Sequence, residues 1–157
     1  MRTLLVFFGL VALLSSAACV SFEERQKTNA ALSRAVDRFH DQLNAGQYHE
    51  IYSDADSELH SVGTQVDFEG RLKNAHEQLG VTTSKASAFT QESLWRDLKT
   101  TLGVHRQVIE HYELVTSLKV MGSEKFTWAV ENNQPKLVSY ELRWVCQKPC
   151  AIRFAAN

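Results

Sequence analysis

The sequence predicts an α+β domain in which N-terminal helices pack on a curved antiparallel sheet, preceded by a signal peptide. An apolar N-terminal run is followed by apolar residues at helical spacing as far as Leu79, and alternating apolar residues occupy the chain from Val104 onward. Because the period changes from about 3.6 to about 2 only once, helices precede strands. This order favours helices gathered on the apolar face of one sheet.

The N-terminal segment has the three parts of a secretory signal. Arg2 supplies positive charge, residues 4–14 are almost wholly apolar, and residues 15–18 are small. The apolar run is shorter than the roughly 20 residues that a transmembrane helix requires. We therefore assign residues 1–18 to a signal peptide and expect the mature chain to work outside the cytoplasm.

The residues that lead to Cys19 resemble the lipobox of bacterial lipoproteins. Residues 14–19 read Leu-Ser-Ser-Ala-Ala-Cys, with Ser16 where the family usually has a larger aliphatic residue. The resemblance implies thioether-linked diacylglycerol and an acylated amine on Cys19, which would hold the protein on a membrane. Val20 resembles the following residue of lipoproteins that reach the outer membrane and face the periplasm. The alternative is cleavage before an unmodified Cys19, which gives a soluble periplasmic or secreted protein.

The other two cysteines, Cys146 and Cys150, are four positions apart. An oxidising compartment permits a small disulfide loop between them, and this pairing leaves Cys19 free for lipid. So short a loop adds only about 2 kcal/mol, which fastens the C-terminal end without holding the whole fold. A structural zinc site requires four ligands, and no further cysteine or histidine lies beside Cys146 and Cys150. We therefore predict no metal and no cofactor.

The mature chain is predicted to form one domain, residues 29–157, after a lipid-attached tether of residues 19–28. Its length suits a single core, and neither a linker nor a repeat divides it. The formal net charge of −1 over the whole chain gives no electrostatic reason to expect nucleic acid as a partner.

Three helical segments are predicted in the first half of the domain. Residues 44–46 offer a stop for the first, and Asp67 and Gly80 are placed as the N-cap and the stop of the third. The apolar residues at helical spacing are Leu32, Val36, Phe39 and Leu43 in the first segment, Tyr48, Ile51, Tyr52, Ala55 and Leu59 in the second, and Phe68, Leu72, Ala75 and Leu79 in the third.

The second half is predicted to be a meander of long antiparallel strands. Residues 81–89 and 104–121 read as strands, residues 91–102 fit either a helix or a strand, and Glu110 interrupts an apolar parity that includes Leu118. Gly122 and Ser123 predict one turn and residues 132–135 another. The apolar parities of the strands are Val108, Tyr112, Leu114, Leu118 and Val120, then Phe126, Trp128 and Val130, then Val138, Tyr140, Leu142 and Trp144. Ile152 and Phe154 suggest a last ordered strand.

Residues 39–48 with Ile51 and Tyr52 resemble the opening helices of the nuclear transport factor 2-like, or cystatin-like, superfamily. Residues 124–128 and 135–142 are similar to its closing strands, so the resemblance covers roughly residues 30–144. The chain is similar in particular to small bacterial lipoproteins and exported proteins of unknown function with this fold. The resemblance implies a cone between helices and sheet, but the fold hosts isomerases, dehydratases, ligand binders and assembly modules.

Enzymes of this superfamily place an acidic residue with His or Tyr inside the cone. Glu110, His105 or His111 could then serve as acid or base. The competing interpretation places the tyrosines in the core and the charged groups on the solvent face, and the parity of His105 and His111 favours it. The residues that could line such a cavity are Tyr48, Tyr52, Tyr112, Trp128 and Tyr140.

Neither a phosphate-binding loop nor a catalytic motif is present in the sequence. We therefore expect a non-catalytic envelope lipoprotein whose domain binds a protein partner or forms a homodimer. The alternative is a small-ligand-binding protein or cavity enzyme of the same fold. A pocket of roughly 300 Å³ or more with convergent polar groups would discriminate between the two.

Overall fold

The structure is a computed structural model that describes the backbone of residues 2–96, 104–144 and 150–155. Side chains are described for residues 23–88, 90–91, 107–144 and 151–155. The elements are α1 (Arg2–Asn44), α2 (Tyr48–Ser53), α3 (Ser57–Val62), α4 (Gln65–Leu79), β1 (Thr82–Arg96), β2 (Val104–Thr116), β3 (Met121–Glu131), β4 (Gln134–Trp144) and β5 (Cys150–Phe154). The predicted order of helices followed by strands is confirmed.

Helix α1 buries the predicted apolar stripe and ends where the sequence indicates. Leu32, Val36, Phe39 and Leu43 are all buried, and Gly46 follows the helix in the left-handed region at φ +72°. Residues 19–28, predicted as a tether, are helical and continuous with the rest of α1. Packing begins at Thr28, which is buried and whose hydroxyl lies 2.8 Å from Oδ1 of Asn133.

The second predicted helix is divided into α2 and α3. Asp56 causes the break: its side chain accepts a hydrogen bond from the backbone N–H of Glu58, which caps α3, at 2.9 Å. Its own N–H donates to the carbonyl of Leu137 in β4, also at 2.9 Å. An N–H bonded to the sheet cannot continue an α-helical ladder, so the chain restarts there.

Helix α4 begins one turn earlier than the sequence suggests. The N-cap is Thr64, whose hydroxyl accepts from the N–H of Asp67, so the prediction of Asp67 as the cap was wrong. Asp67 instead accepts from the Thr64 hydroxyl at 2.8 Å and places its charge in the first turn. The predicted stop is confirmed, because Gly80 has φ +74°.

The five strands form one antiparallel sheet in the order β1-β2-β3-β4-β5. The meander is therefore confirmed, including β5, which pairs with the end of β4. Residues 91–96, which the sequence left ambiguous, belong to β1, and residues 97–102 lie outside the described part. Register shifts occur between Thr82 and Ser84, Ser87 and Phe89, and Thr127 and Trp128. Such bulges bend a strand and increase its twist.

One predicted turn is confirmed and the other was wrong. Asn132 and Asn133 have φ of 51° and 59°, as a two-residue hairpin turn requires. Gly122 and Ser123 do not turn but pair within β3; the β2–β3 connection is residues 117–120. Gly122 is needed for packing, since a Cβ there would lie 3.0 Å from the carbonyl oxygen of Arg143.

The core lies between the helices and one face of the sheet. Phe126 in the middle strand is fully buried, with ring centroids 5.0 Å from Phe39 and 5.1 Å from Tyr140. Such edge-on and tilted aromatic pairs stabilise a core beyond their buried area. The predicted α+β class, with helices on one apolar sheet face, is confirmed. Among the described residues, no helix is long and apolar enough to cross a bilayer.

Candidate functional site

Two buried carboxylates lie on the helix-facing side of the sheet. Glu110 does not interrupt the apolar parity of β2 but follows it inward, so the expectation that the charged groups face solvent was wrong for this residue. Its Oε2 accepts from the indole N–H of Trp128 at 3.0 Å and its Oε1 from the hydroxyl of Tyr112 at 3.4 Å. Burial raises the pKa of Glu110, and these two hydrogen bonds oppose the rise.

The second carboxylate, Glu124, joins β3 to α1. Its Oε2 lies 2.8 Å from Nε2 of His40, and its Oε1 accepts from the Tyr140 hydroxyl at 2.5 Å. The other ring nitrogen of His40 lies 2.9 Å from the carbonyl of Val36, which can only accept. Sequence reasoning missed this pair, although His40 follows Val36 by one helical turn and Glu124 shares the parity of Phe126.

The two carboxylates also suppress ionisation of the tyrosines beside them. Burial first, and then the charge of Glu124, raises the pKa of Tyr140; burial and Glu110 raise the pKa of Tyr112. Both phenols therefore remain hydrogen-bond donors at neutral pH. No buried side-chain N or O atom in the described part of the chain lacks a partner.

Little open space lies beside Glu124 and Tyr140 in the described part of the interior. The cavity beside Glu124 and Tyr140 has a volume of about 10 Å³, room for one water molecule at most. A substrate could therefore reach neither group without opening the core. Fully satisfied polar clusters of this kind hold a core in one arrangement.

The candidate cavity residues separate into two groups: Tyr112, Trp128 and Tyr140 pack around Phe126, whereas Tyr48 and Tyr52 lie apart from them. Tyr112 and Tyr140 lie in the core, Tyr48 contacts Nδ1 of His76 at 2.9 Å, and Tyr52 lies at the surface, 3.4 Å from the carbonyl of Gly63. Trp128 is largely buried and also belongs to the lining of an external groove.

Of the two candidate histidines, His111 does not reach the interior. His111 faces the side of the sheet away from the helices, as its parity predicted, near Lys125 and Glu141. Partial burial first, and then Lys125, lowers its pKa. The side chain of His105 lies outside the described part. Among the described side chains, His111 is thus on the sheet face opposite the helices and cannot act on the interior.

The external groove runs between α1 and the start of β4 and has a volume of about 450 Å³. We call it the α1–β4 groove; Arg34, Arg38 and Lys136 stand on its rim, and Phe39, Trp128 and Leu137 contribute to its apolar floor. It is open to solvent along its length. Sequence reasoning missed it, although Ala31 and Ala35 leave room on the same α1 face that carries both arginines.

A second surface feature lies at the β2–β3 turn. Leu118 and Met121 are 59% and 66% exposed, and Val81 and Val115 beside them are also exposed. Leu118 lies in the turn. Its predicted place on the apolar parity of β2 was therefore wrong. We call these four side chains the apolar tip. Val115 pairs with Met121, and Val81 is bonded to Ser117 next to Leu118, so the four residues lie at the same end of the sheet.

The described side chains contain no group of three or more His, Cys, Asp or Glu that could hold a metal ion. Cys146 and the side chains of Cys19 and Cys150 lie outside the described part. Lipidation and the disulfide thus remain predictions.

Comparison with known proteins adds no identity: no protein-family model matches the chain, and no curated protein matches it significantly.

Proposed function

We propose that this protein is an envelope lipoprotein whose domain, of nuclear transport factor 2-like (cystatin-like) type, binds a protein partner or a second copy of itself. Residues 1–18 and Cys19 support the export and the lipid anchor, and the outer membrane facing the periplasm is the proposed location. The resemblance of residues 30–144 and the helix-covered antiparallel sheet support the type of domain.

The observation that carries the proposal is the placement of the apolar tip. The packed part of α1 starts at Thr28, beside the β3–β4 turn, and ends at Asn44, which exchanges hydrogen bonds with the backbone of Thr82. Val81 and the β2–β3 turn lie at that second end, where the Ser117 N–H donates to the Val81 carbonyl. Cys19 precedes Asn44 by ~38 Å of helix at about 1.5 Å per residue. A lipid on Cys19 would therefore present the apolar tip away from the membrane.

A binding role is also supported by the interior. The buried carboxylates and tyrosines hydrogen-bond to one another and to His40 and Trp128, and the cavity beside Glu124 and Tyr140 is about 10 Å³. An enzyme of this fold would hold its reacting groups against a pocket that admits a substrate.

The anchor is tested by intact-mass analysis of the mature protein from membranes of the native producer, with and without reduction. We expect an N-terminus at Cys19 and the added mass of the acyl chains. We expect reduction of the disulfide between Cys146 and Cys150 to add the mass of two hydrogen atoms. An unmodified Cys19 would refute the lipoprotein, and an unchanged mass on reduction would refute the disulfide.

The binding role is tested by crosslinking in isolated envelopes and by light scattering of the purified protein, with Leu118→Lys as the variant. We expect the substitution to abolish a crosslinked species or a dimer. Val66→Lys is the matched control, because Val66 is also an exposed apolar residue, at 80%. It lies at the start of α4, whereas the apolar tip lies beyond the end of that helix, at Val81. A domain that is monomeric and forms no crosslinked species, or equal effects of the two substitutions, would refute the proposal.

One observation favours the alternative, a small-ligand-binding protein or cavity enzyme. The α1–β4 groove exceeds the roughly 300 Å³ expected of a ligand pocket. A thermal-shift screen of small molecules tests this alternative, with Lys136→Gln as the variant. Stabilisation of the native protein that the variant loses would favour small-ligand binding.

A further inference from the structure

We infer that the α1–β4 groove is the docking site for an acidic segment of the partner protein, in which carboxylates alternate with apolar side chains. The inference rests on the proposed function in that the partner is a protein. It adds a second contact surface and the chemistry that this surface recognises.

The rim of the groove carries more positive charge than its surroundings neutralise. Arg34, Arg38 and Lys136 face a single acidic residue of the lining, Asp54. Within the described part of the chain, Arg34 and Lys136 form no ion pair, and Arg38 lies 3.8 Å from Asp54. Both members of that pair are more than half exposed, so it contributes little and can be exchanged for another carboxylate.

The type of cation indicates a carboxylate as the ligand. Arg34 and Arg38 are one helical turn apart and lie on the same face of α1. A guanidinium group presents paired N–H donors in a planar fork that matches the two oxygens of a carboxylate. Asp54 already approaches Arg38 from within the chain, which shows that a carboxylate fits at this position.

The floor of the groove supplies the apolar half of the recognition. Ala31 and Ala35 are small, and the largely buried Phe39, Trp128 and Leu137 form the apolar part of the lining beneath them. Apolar side chains of a bound segment would contact this floor while its carboxylates contact the rim. Alternation of the two kinds of side chain is what an extended strand presents on its two sides.

The length and openness of the groove favour a passing chain over an enclosed small molecule. Its lining extends along α1 from Ala31 to Gln42, which is ~16 Å of helix. An extended segment of about five residues covers this length. Pockets for small molecules bury most of the ligand surface, whereas this groove leaves one side open to solvent.

The backbone of β4 is not available for adding a strand in this region. Pro135 has no N–H to donate, and the carbonyl of Leu137 already accepts from Asp56. The bound segment is therefore recognised through its side chains. This makes its charge pattern, and not strand pairing, the basis of affinity.

Anionic lipid headgroups are a poorer match because of the position of the groove along α1. Ala31 follows Cys19 by ~18 Å of helix, and Gln42 by ~35 Å. The surface potential of a membrane decays within a screening length of about 8 Å at physiological salt. For a protein anchored at Cys19, the groove therefore lies beyond the region where the membrane field acts.

The experiment is fluorescence anisotropy with the full chain and a fluorescein-labelled heptapeptide of alternating glutamate and leucine. A heptapeptide of alternating lysine and leucine is the comparison probe. We expect the acidic peptide to bind at least about tenfold more tightly than the basic one. We expect Arg34→Gln/Arg38→Gln to weaken binding of the acidic peptide by about tenfold or more.

The matched control is Arg25→Gln/Lys73→Gln, which removes the same charge from exposed positions outside the groove. We expect it to leave the affinity within about twofold, and circular dichroism verifies that both variants are folded. Equal loss in both variants, equal binding of both peptides, or no binding would overturn the inference.

Two further arms exclude the other occupants. Binding of the native protein to phosphatidylcholine vesicles with added phosphatidylglycerol that depends on Arg34 and Arg38 would overturn the inference in favour of lipid. Displacement of the peptide by free glutamate at equal concentration would overturn it in favour of a small carboxylate. If these results overturn the inference about the groove while Leu118→Lys still abolishes the crosslinked species, the proposed binding function stands without this site.

Discussion

Nε2 of His40 lies 2.8 Å from Oε2 of Glu124, across 84 residues of sequence, with both side chains almost fully buried. Because the other ring nitrogen of His40 faces the Val36 carbonyl, that nitrogen carries a proton. The contact between His40 and Glu124 joins α1 to the middle strand of the sheet.

Loss of one partner of this pair is expected to be costly. His40→Leu would leave Glu124 buried with only Tyr140 to bond it, and we expect unfolding free energy to fall by about 3–5 kcal/mol. Glu124→Gln should cost less, because the amide can still accept from Tyr140 and donate to a neutral imidazole. Urea denaturation measures both. The control is Lys85→Gln, which removes the exposed Lys85–Asp37 ion pair and should cost about 0–1 kcal/mol. Equal losses for His40→Leu and Lys85→Gln would contradict the role of the buried pair.

The buried carboxyl of Glu110 predicts a pH dependence of stability. Its pKa in the folded state is raised above the ordinary value of 4.5, so the folded protein retains a proton that the unfolded chain releases. The stability that Glu110 contributes to the folded state is complete below pH 4.5. It is lost as the pH rises through the pKa of Glu110 in the folded protein. We therefore expect Glu110→Gln, whose amide oxygen can still accept from Trp128, to gain stability relative to the native protein as the pH rises. Chemical denaturation at several pH values between about 4 and 8 measures the difference.

The exposed Glu113, on the opposite face of the same strand, supplies the control for this titration. Glu113→Gln should show a nearly constant difference from the native protein over the same range. A constant difference for Glu110→Gln would show that the buried carboxyl does not couple folding to pH.

Two glycines of α4, one in its interior and one at its C-terminal stop, should respond oppositely to alanine. Gly70 lies within α4 with open space at its Cβ position, so Gly70→Ala should stabilise the domain by about 0.5–1 kcal/mol. Gly80 has φ +74°, and an added Cβ would lie 2.4 Å from Oγ of Ser117, so Gly80→Ala should destabilise it by more than about 1 kcal/mol. Thermal unfolding of the two variants reports the signs, and a stabilising Gly80→Ala would contradict the left-handed stop.

The N-cap of α4 can be identified by comparing neighbouring substitutions. Thr64→Ala removes the hydroxyl that accepts from the Asp67 N–H and should cost about 1 kcal/mol. Asp67→Ala removes a first-turn charge and a side-chain contact and should cost about 0.3–1 kcal/mol. Thr64→Ser retains the cap and serves as the control. If urea denaturation shows a larger loss of unfolding free energy for Asp67→Ala than for Thr64→Ala, Asp67 and not Thr64 is the N-cap of α4.

Much of the fold could be predicted because it depends on local patterns. The apolar stripe of α1, the stop at Gly80, the turn at Asn132 and the alternation around Tyr140 each follow from a few neighbouring residues. The errors occurred where a distant partner intervenes. Asp56 breaks a helical pattern because it bonds Leu137, and Gly122 stays in a strand because Arg143 and Leu114 pack against it.

The sequence by itself determined the class of fold, the faces of the helices and strands, and the basis for proposing export and a lipid on Cys19. The tertiary structure decided that Glu110 and Glu124 are buried and bonded, that little space is open beside Glu124 and Tyr140, and that Arg34 and Lys136 stand across a groove from each other. The physical reason is that periodicity specifies which side of an element is buried, whereas the partner of a buried charge depends on how separate elements pack.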